Sequence, residues 1–518
     1  MVAVPDNLFP YSTGDSIKRD VAELRASFRN GALRDLATRR RVLLQLRKML
    51  HHGQDALTAA LRKDLHKCML ESRMSEISMV DIELQEHLDY LEDWAAPEKV
   101  PTNLPNLPGH SFIQRDPLGV VCIIGTWNYP VQLTLQPLIG AIAAGNCVLL
   151  RLPGDDSCVH TNNVLIELLE EFMDKRFVRY VHGGVDESKT MLEQKFDLIF
   201  CTGGEFIGKI VAQAAAKTLT PTILELGGKS PAIVDETCDL DVCARRLAWG
   251  SFLNAGQTCV RPDYVLVHHK IGDRLVLKLK EILRIFFGED PQNSESYGRL
   301  INSRAFERVS GLLAKDKDRI TLGGQVDAAD RFIAPTLLNF ATDKSAFLSS
   351  ACMSQEIFGP LLPIHYYQSL DDALDIVRDG AKPLALYVYT SNSTTRNRVL
   401  SETSSGSVCV NDAIMQLSNP HLPFGGVGNS GMGAYHGKHS FDAFSHKKSV
   451  LVRSTWLDVK ERYYPYTERS AKIMLPALRP ISRRTKRSVK YLAYAIGLAI
   501  LAASIKYGQS TLAKLTKA

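Results

Sequence analysis

Between Ile17 and Trp94 apolar residues recur three and four positions apart: Val21, Leu24 and Phe28, then Leu43, Leu46 and Leu50, then Leu57, Leu61 and Leu65. Arg and Lys fill the gaps. This period matches one face of an α-helix, and it predicts packing helices with solvated charges on their outer faces. The proline-interrupted stretch Pro97–Pro108, PEKVPTNLPNLP, reads as a connector and a domain boundary. From Gly119 the pattern changes. Short apolar runs (Gly119–Gly125, Asn146–Leu152, Phe177–Val181, Asp197–Cys201) alternate with helical stretches (Leu135–Ala144, Val164–Phe172, Ser188–Gln194, Ile207–Ala216). Such alternation predicts an α/β fold, a parallel sheet covered by helices on both faces, with ligands at the carboxyl ends of its strands. A second α/β segment follows Glu225 to about Val410, and Asn411–Phe444 is dense in glycine.

Composition narrows the class. At 518 residues the chain is long enough for two or three domains, and 45% hydrophobic with 23% charged residues is ordinary for a soluble globular protein. The net charge of +6 is local: Arg483, Arg484, Lys486, Arg487 and Lys490 nearly account for it, so nucleic acid is not an expected partner. The 10 cysteines are scattered, with no CxxC pair and no Cys/His cluster. No metal site is expected, and a reducing compartment fits. The N-terminus, MVAVPDNLFPYSTGDS, shows no basic segment followed by an apolar core, so no secretory signal is expected.

The candidate chemistry centres on Phe252–Tyr264, FLNAGQTCVRPDY. A helical pattern, Val242–Leu253, leads in, and a strand-like run, Tyr264–Val267, leads out. Cys259 therefore falls in a turn after a helix, where backbone N–H groups favour a thiolate. A buried inert cysteine is the plainer alternative. Two upstream stretches weigh against it: Glu225 in LELGGKSP, a carboxylate between glycines and apolar residues, and Asn128 in GTWNYP. The strand end at Cys201 runs through Thr202, Gly203, Gly204, Glu205, Phe206, Ile207 and Gly208 into a helix, which suits the approach of a pyrophosphate. The spacing is not GxGxxG, and such a turn alone is not specific. In QEIFGP, Glu356 and Phe358 precede another turn.

Taken in order, GTWNYP, LELGGKSP, GQTCVRPDY, QEIFGP and LPFGGVGNSGMGAYHGKHSFDAFSH resemble the successive signatures of the aldehyde dehydrogenase superfamily, from about Val21 to Arg453. The last motif resembles the class 3 branch, which includes fatty aldehyde dehydrogenases. The resemblance implies a Rossmann-like cofactor domain (1–95 and 117–225), a catalytic domain (226–410) and a bridging segment (96–116 and 411–453) that makes a homodimer. It implies NAD or NADP as cofactor and a lipophilic, long-chain aliphatic aldehyde as substrate, oxidised to a carboxylic acid through a cysteine thiohemiacetal and thioester. Cys259 matches the nucleophile, Asn128 the oxyanion donor and Glu225 the base. Trp127, Gly203, Gly204, Gly208, Glu356 and Phe358 match the cofactor site.

Two departures concern that cofactor. Where the family strand usually ends in Lys-Pro-Ser-Glu, this chain has Arg151, Leu152, Pro153 and Gly154, followed by Asp155 and Asp156. Arg151 falls at the Lys position and Gly154 at that of the ribose-binding Glu. In the pyrophosphate turn Gly204 lacks a hydroxyl, and Glu205 adds negative charge. A cofactor-impaired, membrane-bound binding or scaffold protein is therefore the alternative reading. Beyond the motifs, residues 482–518 hold a basic cluster and an apolar run, Tyr491–Ile505, flanked by Lys490 and Lys506. These predict a membrane anchor, although the run is short against the roughly twenty residues of a full span. The expected place is a cytosol-facing intracellular membrane, endoplasmic reticulum first, with mitochondrial outer membrane and peroxisome as alternatives.

Overall fold

The apolar run at Gly119 becomes the strand Val120–Ile124, inside a six-stranded sheet with helices on both faces. Val120, Val121, Cys122 and Ile123 are all fully buried, which explains why this strand reads as an unbroken apolar run and not as an alternation. Its neighbours are Leu198–Thr202 on one side and Cys147–Arg151 on the other, both parallel. Val178–Val181 and Thr222–Glu225 extend the sheet in parallel, and Gly431–Met432 closes one edge antiparallel to Thr222–Glu225. Registers align the carboxyl ends: Ile124 pairs with Cys201, and Thr202 with Glu225. The loop holding Asn128, the turn at Gly203 and the Glu225 carboxyl therefore leave one edge together.

These features come from a computed structural model that describes residues 9–154, 157–480, 482 and 485. A second sheet has seven strands in the order Ile320–Leu322, Thr336–Ala341, Leu361–Tyr367, Tyr264–His268, Pro231–Val234, Ala385–Tyr389 and Ser407–Val410. All neighbours run parallel except Ile320–Leu322 against Thr336–Ala341. Only residues 226–230 connect Glu225 to Pro231. So short a link carries the chain from the carboxyl edge of one sheet to the amino edge of the next. Pro231 is in register with Tyr264, so the segments before each, holding Lys229 and Cys259, come to that amino edge side by side. The expectation of a site at carboxyl ends thus describes the first sheet, while the second contributes through the amino ends of its strands.

The helical period of the first hundred residues gives Gly14–Arg29, Leu36–Leu65 and Ser78–Ala95. Solvated charges are not the whole account of them. Arg39, Asp64, Lys67, Glu71, Glu76 and Glu83 are buried. Each has partners on distant segments, and Asp64, for example, accepts from Thr161 N–H at 2.8 Å and from its hydroxyl at 2.7 Å, capping the helix Val159–Phe172. A helix's own period cannot reveal such contacts.

All of this lies in one compact unit, which takes in the chain up to Ala96 and Gln114–Lys448. The second unit comprises Pro97–Ile113 and the described residues from Ser449 on. In it, Glu98 pairs with Ile113 and Val100 with Ser111 in antiparallel register, and a helix, Glu468–Ala477, begins with Thr467 accepting from Ser470 N–H. The proline-rich connector is therefore part of a folded unit. Among the described residues no helix is long and apolar enough to cross a membrane. The basic residues Arg483, Arg484, Lys486, Arg487 and Lys490 and the apolar run 491–505 lie outside the described residues, as do Asp155 and Asp156.

Candidate active site

Where the two sheet edges meet, a cleft of roughly 830 Å³ is lined by Trp127, Asn128, Gly203, Gly204, Glu225, Cys259, Glu356 and Phe358. These eight residues come from five separate stretches of sequence. Cys259 arrives there through an unusual turn. The helix Leu240–Phe252, capped by Asp239, stops, and Asn254, Ala255 and Gly256 all take positive φ, at 53°, 51° and 74°. Two of these are not glycine, so the turn is strained and must be held from outside. Gln257, fully buried, does so: its amide donates to Asn254 O (3.1 Å) and Arg299 O (2.9 Å) and accepts from Ile301 N–H (3.0 Å). At Gly256 an added Cβ would come within 2.3 Å of Gly359 O, so glycine is required by space as well as by φ.

Cys259 itself is half-buried. Burial pushes its thiol up to about 12, and the carboxyls of Glu356 and Glu225 add to this, while the backbone N–H groups of Cys259 and Val260 act in the opposite direction. Glu225 is buried, and neither of its carboxyl oxygens has a hydrogen-bond partner among the described residues. Burial alone holds it well above the carboxylate range. Such a group is a strong base once ionised. Asn128 is 2% exposed and its amide donates to Gln257 O at 3.0 Å.

The loop of QEIFGP is fixed by cations that sequence reasoning did not assign. Lys229 donates to Asp263, to Cys352 O (2.7 Å) and to Gln355 O (3.1 Å). Arg308 reaches Glu356 O (3.2 Å) and Ile357 O (2.7 Å), and Asp263 accepts from Ile357 N–H at 3.1 Å. Arg261, next to the Cys259 turn, is 1% exposed and holds Gly359 O (2.5 Å) and Leu361 O (2.7 Å). Lys229 sits in LELGGKSP, and Arg261 and Asp263 in RPDY, so their motifs were visible while their contacts were not. Arg308 carries no such signal. Phe358, at φ 44°, meets Trp127 edge to face at 5.4 Å. Burial and Asp263 raise Glu356 to about 8, against the Gly228 N–H, Lys229 and Arg308.

Two sequence-assigned cofactor residues lie elsewhere. Gly208 is buried inside the helix Glu205–Ala216, where an added Cβ would lie 2.6 Å from Leu226, so it sets helix–sheet packing. Arg151 does not line the cleft. It is 4% exposed, and its guanidinium donates to Leu152 O, Gly183 O (2.6 Å), Gly184 O (3.0 Å) and Ser188 Oγ (2.9 Å). The Glu205 charge is paired with Lys209 at 2.8 Å on the helix surface.

The sequence pattern of the aldehyde dehydrogenase family matches residues 8–450. The chain is 45% identical over 456 residues to a rat protein named aldehyde dehydrogenase, dimeric NADP-preferring, covering 88% of this chain and 98% of that one. It is 44% identical over 438 residues to aldehyde dehydrogenase family 3 member A2 of Macaca fascicularis, covering 85% and 88%. Among solved structures, a substrate-bound AldH of Staphylococcus aureus superposes with a TM-score of 0.83 at 38% identity, over 92% of this chain and 99% of that one.

Proposed function

The chain belongs to the aldehyde dehydrogenase family and oxidises aldehydes with NAD or NADP, and from that premise we propose which of its residues carry the reaction. One observation carries the reading: Cys259, the Asn128 amide and the unpartnered Glu225 carboxyl open on the same cleft. The Cys259 proton passes to solvent water as its sulfur forms a bond to the aldehyde carbon, leaving the electron pair of the broken C=O π bond on oxygen. The Asn128 side-chain amide and the Cys259 backbone N–H hold that oxyanion, each such donor being worth roughly 3–4 kcal/mol. A nicotinamide cofactor held in the cleft would supply the hydride acceptor through whose action this adduct becomes a thioester. Glu225 then takes a proton from water, the hydroxide adds to the thioester carbon, and the carbon–sulfur bond breaks to release the acid and Cys259.

The cleft fits such a cofactor. Gly203 and Gly204 precede the 12-residue helix Glu205–Ala216, and space around Gly204 is open within 4 Å of an added Cβ. The Gly204 N–H and the first amides of that helix would hold the pyrophosphate, the Gly203 N–H being given to Glu225 O at 3.0 Å, with Glu356 and Phe358 at the nicotinamide ribose and ring and Trp127 packed against Phe358. Arg151 is read as holding the adenosine-side turn through Gly183 and Gly184, and Gly208 as the packing glycine behind the pyrophosphate turn. With Glu205 paired to Lys209, the cofactor-impaired scaffold reading loses part of its ground.

The two sheets support 1–95 with 117–225 as cofactor domain and 226–410 as catalytic domain, with 96–116 and 411–453 as the bridging segment of a homodimer; the rat relative is named dimeric. Long-chain aliphatic aldehydes are the proposed substrates. The basic and apolar sequence of 482–518 supports attachment to a cytosol-facing intracellular membrane, the endoplasmic reticulum first. Full-length protein should sediment with membranes and resist salt extraction, and release by salt alone would count against apolar insertion.

The chemical assignment is tested with two variants. Cys259→Ser should abolish turnover while cofactor binding persists, and Glu225→Gln should give a burst of NADH followed by little turnover. A serine variant that keeps most of the rate, or a glutamine variant with no burst, would overturn the corresponding role.

A further inference from the structure

Behind Asn128 lies an ion pair that the steps above do not use. Lys67 and Glu76 are both 0% exposed, with Nζ 2.7 Å from Oε1. The Lys67 ammonium gives a second hydrogen bond, 2.8 Å, to the main-chain carbonyl of Asn128, and lies 3.9 Å from the centre of the Tyr129 ring. The other oxygen of Glu76 accepts the N–H groups of Val131 (2.9 Å) and Gln132 (3.1 Å), where the helix Gln132–Ala144 begins. The pair therefore grips the Asn128 loop on both sides, at its carbonyl and at the amides three and four residues on.

The Cys259 turn holds the same loop from the opposite direction. Asn254 Nδ2 donates to the Asn128 carbonyl at 2.9 Å, and Tyr129 OH meets Thr258 Oγ1 at 2.7 Å. Glu76 reaches its place because residues Arg73–Ile77 form a wide π-type turn between two α-helical segments, a departure that concentrates at functional sites. Stability does not explain the pair. Desolvating two charges costs several kcal/mol each, and apolar residues of similar volume often serve a fold as well or better. What the pair supplies, and an apolar filling would not, is a directional hold on one carbonyl and two amides.

We propose that Lys67 and Glu76 are positioning residues that fix the Asn128 amide where the oxyanion of the aldehyde adduct forms. The inference rests on the reading of Asn128 as oxyanion donor. A displacement of about 1 Å at such a donor lowers rate on the order of 100-fold, which is the scale of effect the pair can govern.

The test compares Lys67→Met/Glu76→Gln, Asn128→Ala and their combination in the full-length protein, with Leu43→Ala as a core control of lowered stability. The paired substitution avoids leaving one charge buried alone. Expected is a fall in kcat of about 10- to 100-fold with KM for aldehyde and cofactor within about threefold, and little further loss when the pair is added to Asn128→Ala. Leu43→Ala should lower Tm without that kcat loss. A folded double variant with near-native kcat, or one whose full loss repeats in the Asn128→Ala background, overturns the proposal. If Asn128→Ala itself keeps its rate, the oxyanion assignment is what fails, and the proposal falls with it. Should the double variant not fold, Glu76→Asp, which keeps a carboxylate opposite Lys67 but shortens its reach to the two amides, carries the same comparison, with a fall of about three- to tenfold expected and none overturning it.

Discussion

A Cβ added to Gly227 would lie 2.0 Å from Oε2 of Glu356. These residues come from the link between the sheets and from the QEIFGP loop, so the second glycine-rich element of the site exists to admit a carboxylate. Because the obstruction is the end of a side chain, Gly227→Ala should leave the fold intact and turn Glu356 aside. The expected result is a cofactor KM raised about tenfold, the loss of one charge-assisted hydrogen bond, with Tm nearly unchanged. An unaltered KM would mean that Glu356 does not meet the cofactor.

Among the described residues nothing lies within 4 Å of a Cβ added at Gly154. Gly154→Glu is therefore sterically free, and in the family's usual arrangement a carboxylate there accepts from ribose hydroxyls and repels a 2′-phosphate. The native protein should use both cofactors. The substitution should shift kcat/KM toward NAD and away from NADP, each by about tenfold. A native preference for NAD that the substitution leaves unchanged would place Asp155 or Asp156 in that role instead.

Glu356 is one of two carboxyls that raise the Cys259 thiol. A neighbouring negative charge favours the protonated thiol, so Glu356→Gln should lower the thiol pKa and speed alkylation of Cys259. Glu356 titrates near 8, so the acceleration should appear above that pH and be small below it. Alkylation rates at Cys259 followed by peptide mass spectrometry from pH 6 to 10 check this. Equal rates at high pH would show that the charge does not act on the thiol.

Glu71 is buried behind the same region and its carboxyl is raised to about 7 by burial, against the pull of Lys67. Its folded value lies above its unfolded value near 4.5, so the unfolded chain gives up this proton first. The contribution to stability is present below pH 4.5 and is lost as pH rises through 7, amounting to about 3 kcal/mol. Glu71→Gln should remove that loss and flatten the dependence of Tm on pH between 4.5 and 7.5. An unchanged slope would rule Glu71 out as its source.

The chain's own order of residues determined the α/β class, because buried parallel strands such as Val120–Ile124 must be continuously apolar and their covering helices must repeat at helical spacing. It also made Cys259, Glu225 and Asn128 candidates one at a time, from motifs whose residue types are legible singly, and the fold brings the three to one cleft. What only the tertiary structure decided was how charges and turns are used. Lys67 and Glu76 look like surface charges on packing helices, yet they are buried beneath Asn128 by contacts 55 to 61 residues away in sequence. Arg151 resembles a cofactor ligand but spends its guanidinium on Gly183 and Gly184. Arg261 beside Cys259 lies 3.6 Å from Asp263, yet its hydrogen bonds secure Gly359 and Leu361, about a hundred residues on. The physical reason is common to all three. A hydrophobic period is a property of one segment against a generic core, whereas a buried charge is tolerated only opposite particular partners, and those are chosen by how distant segments meet.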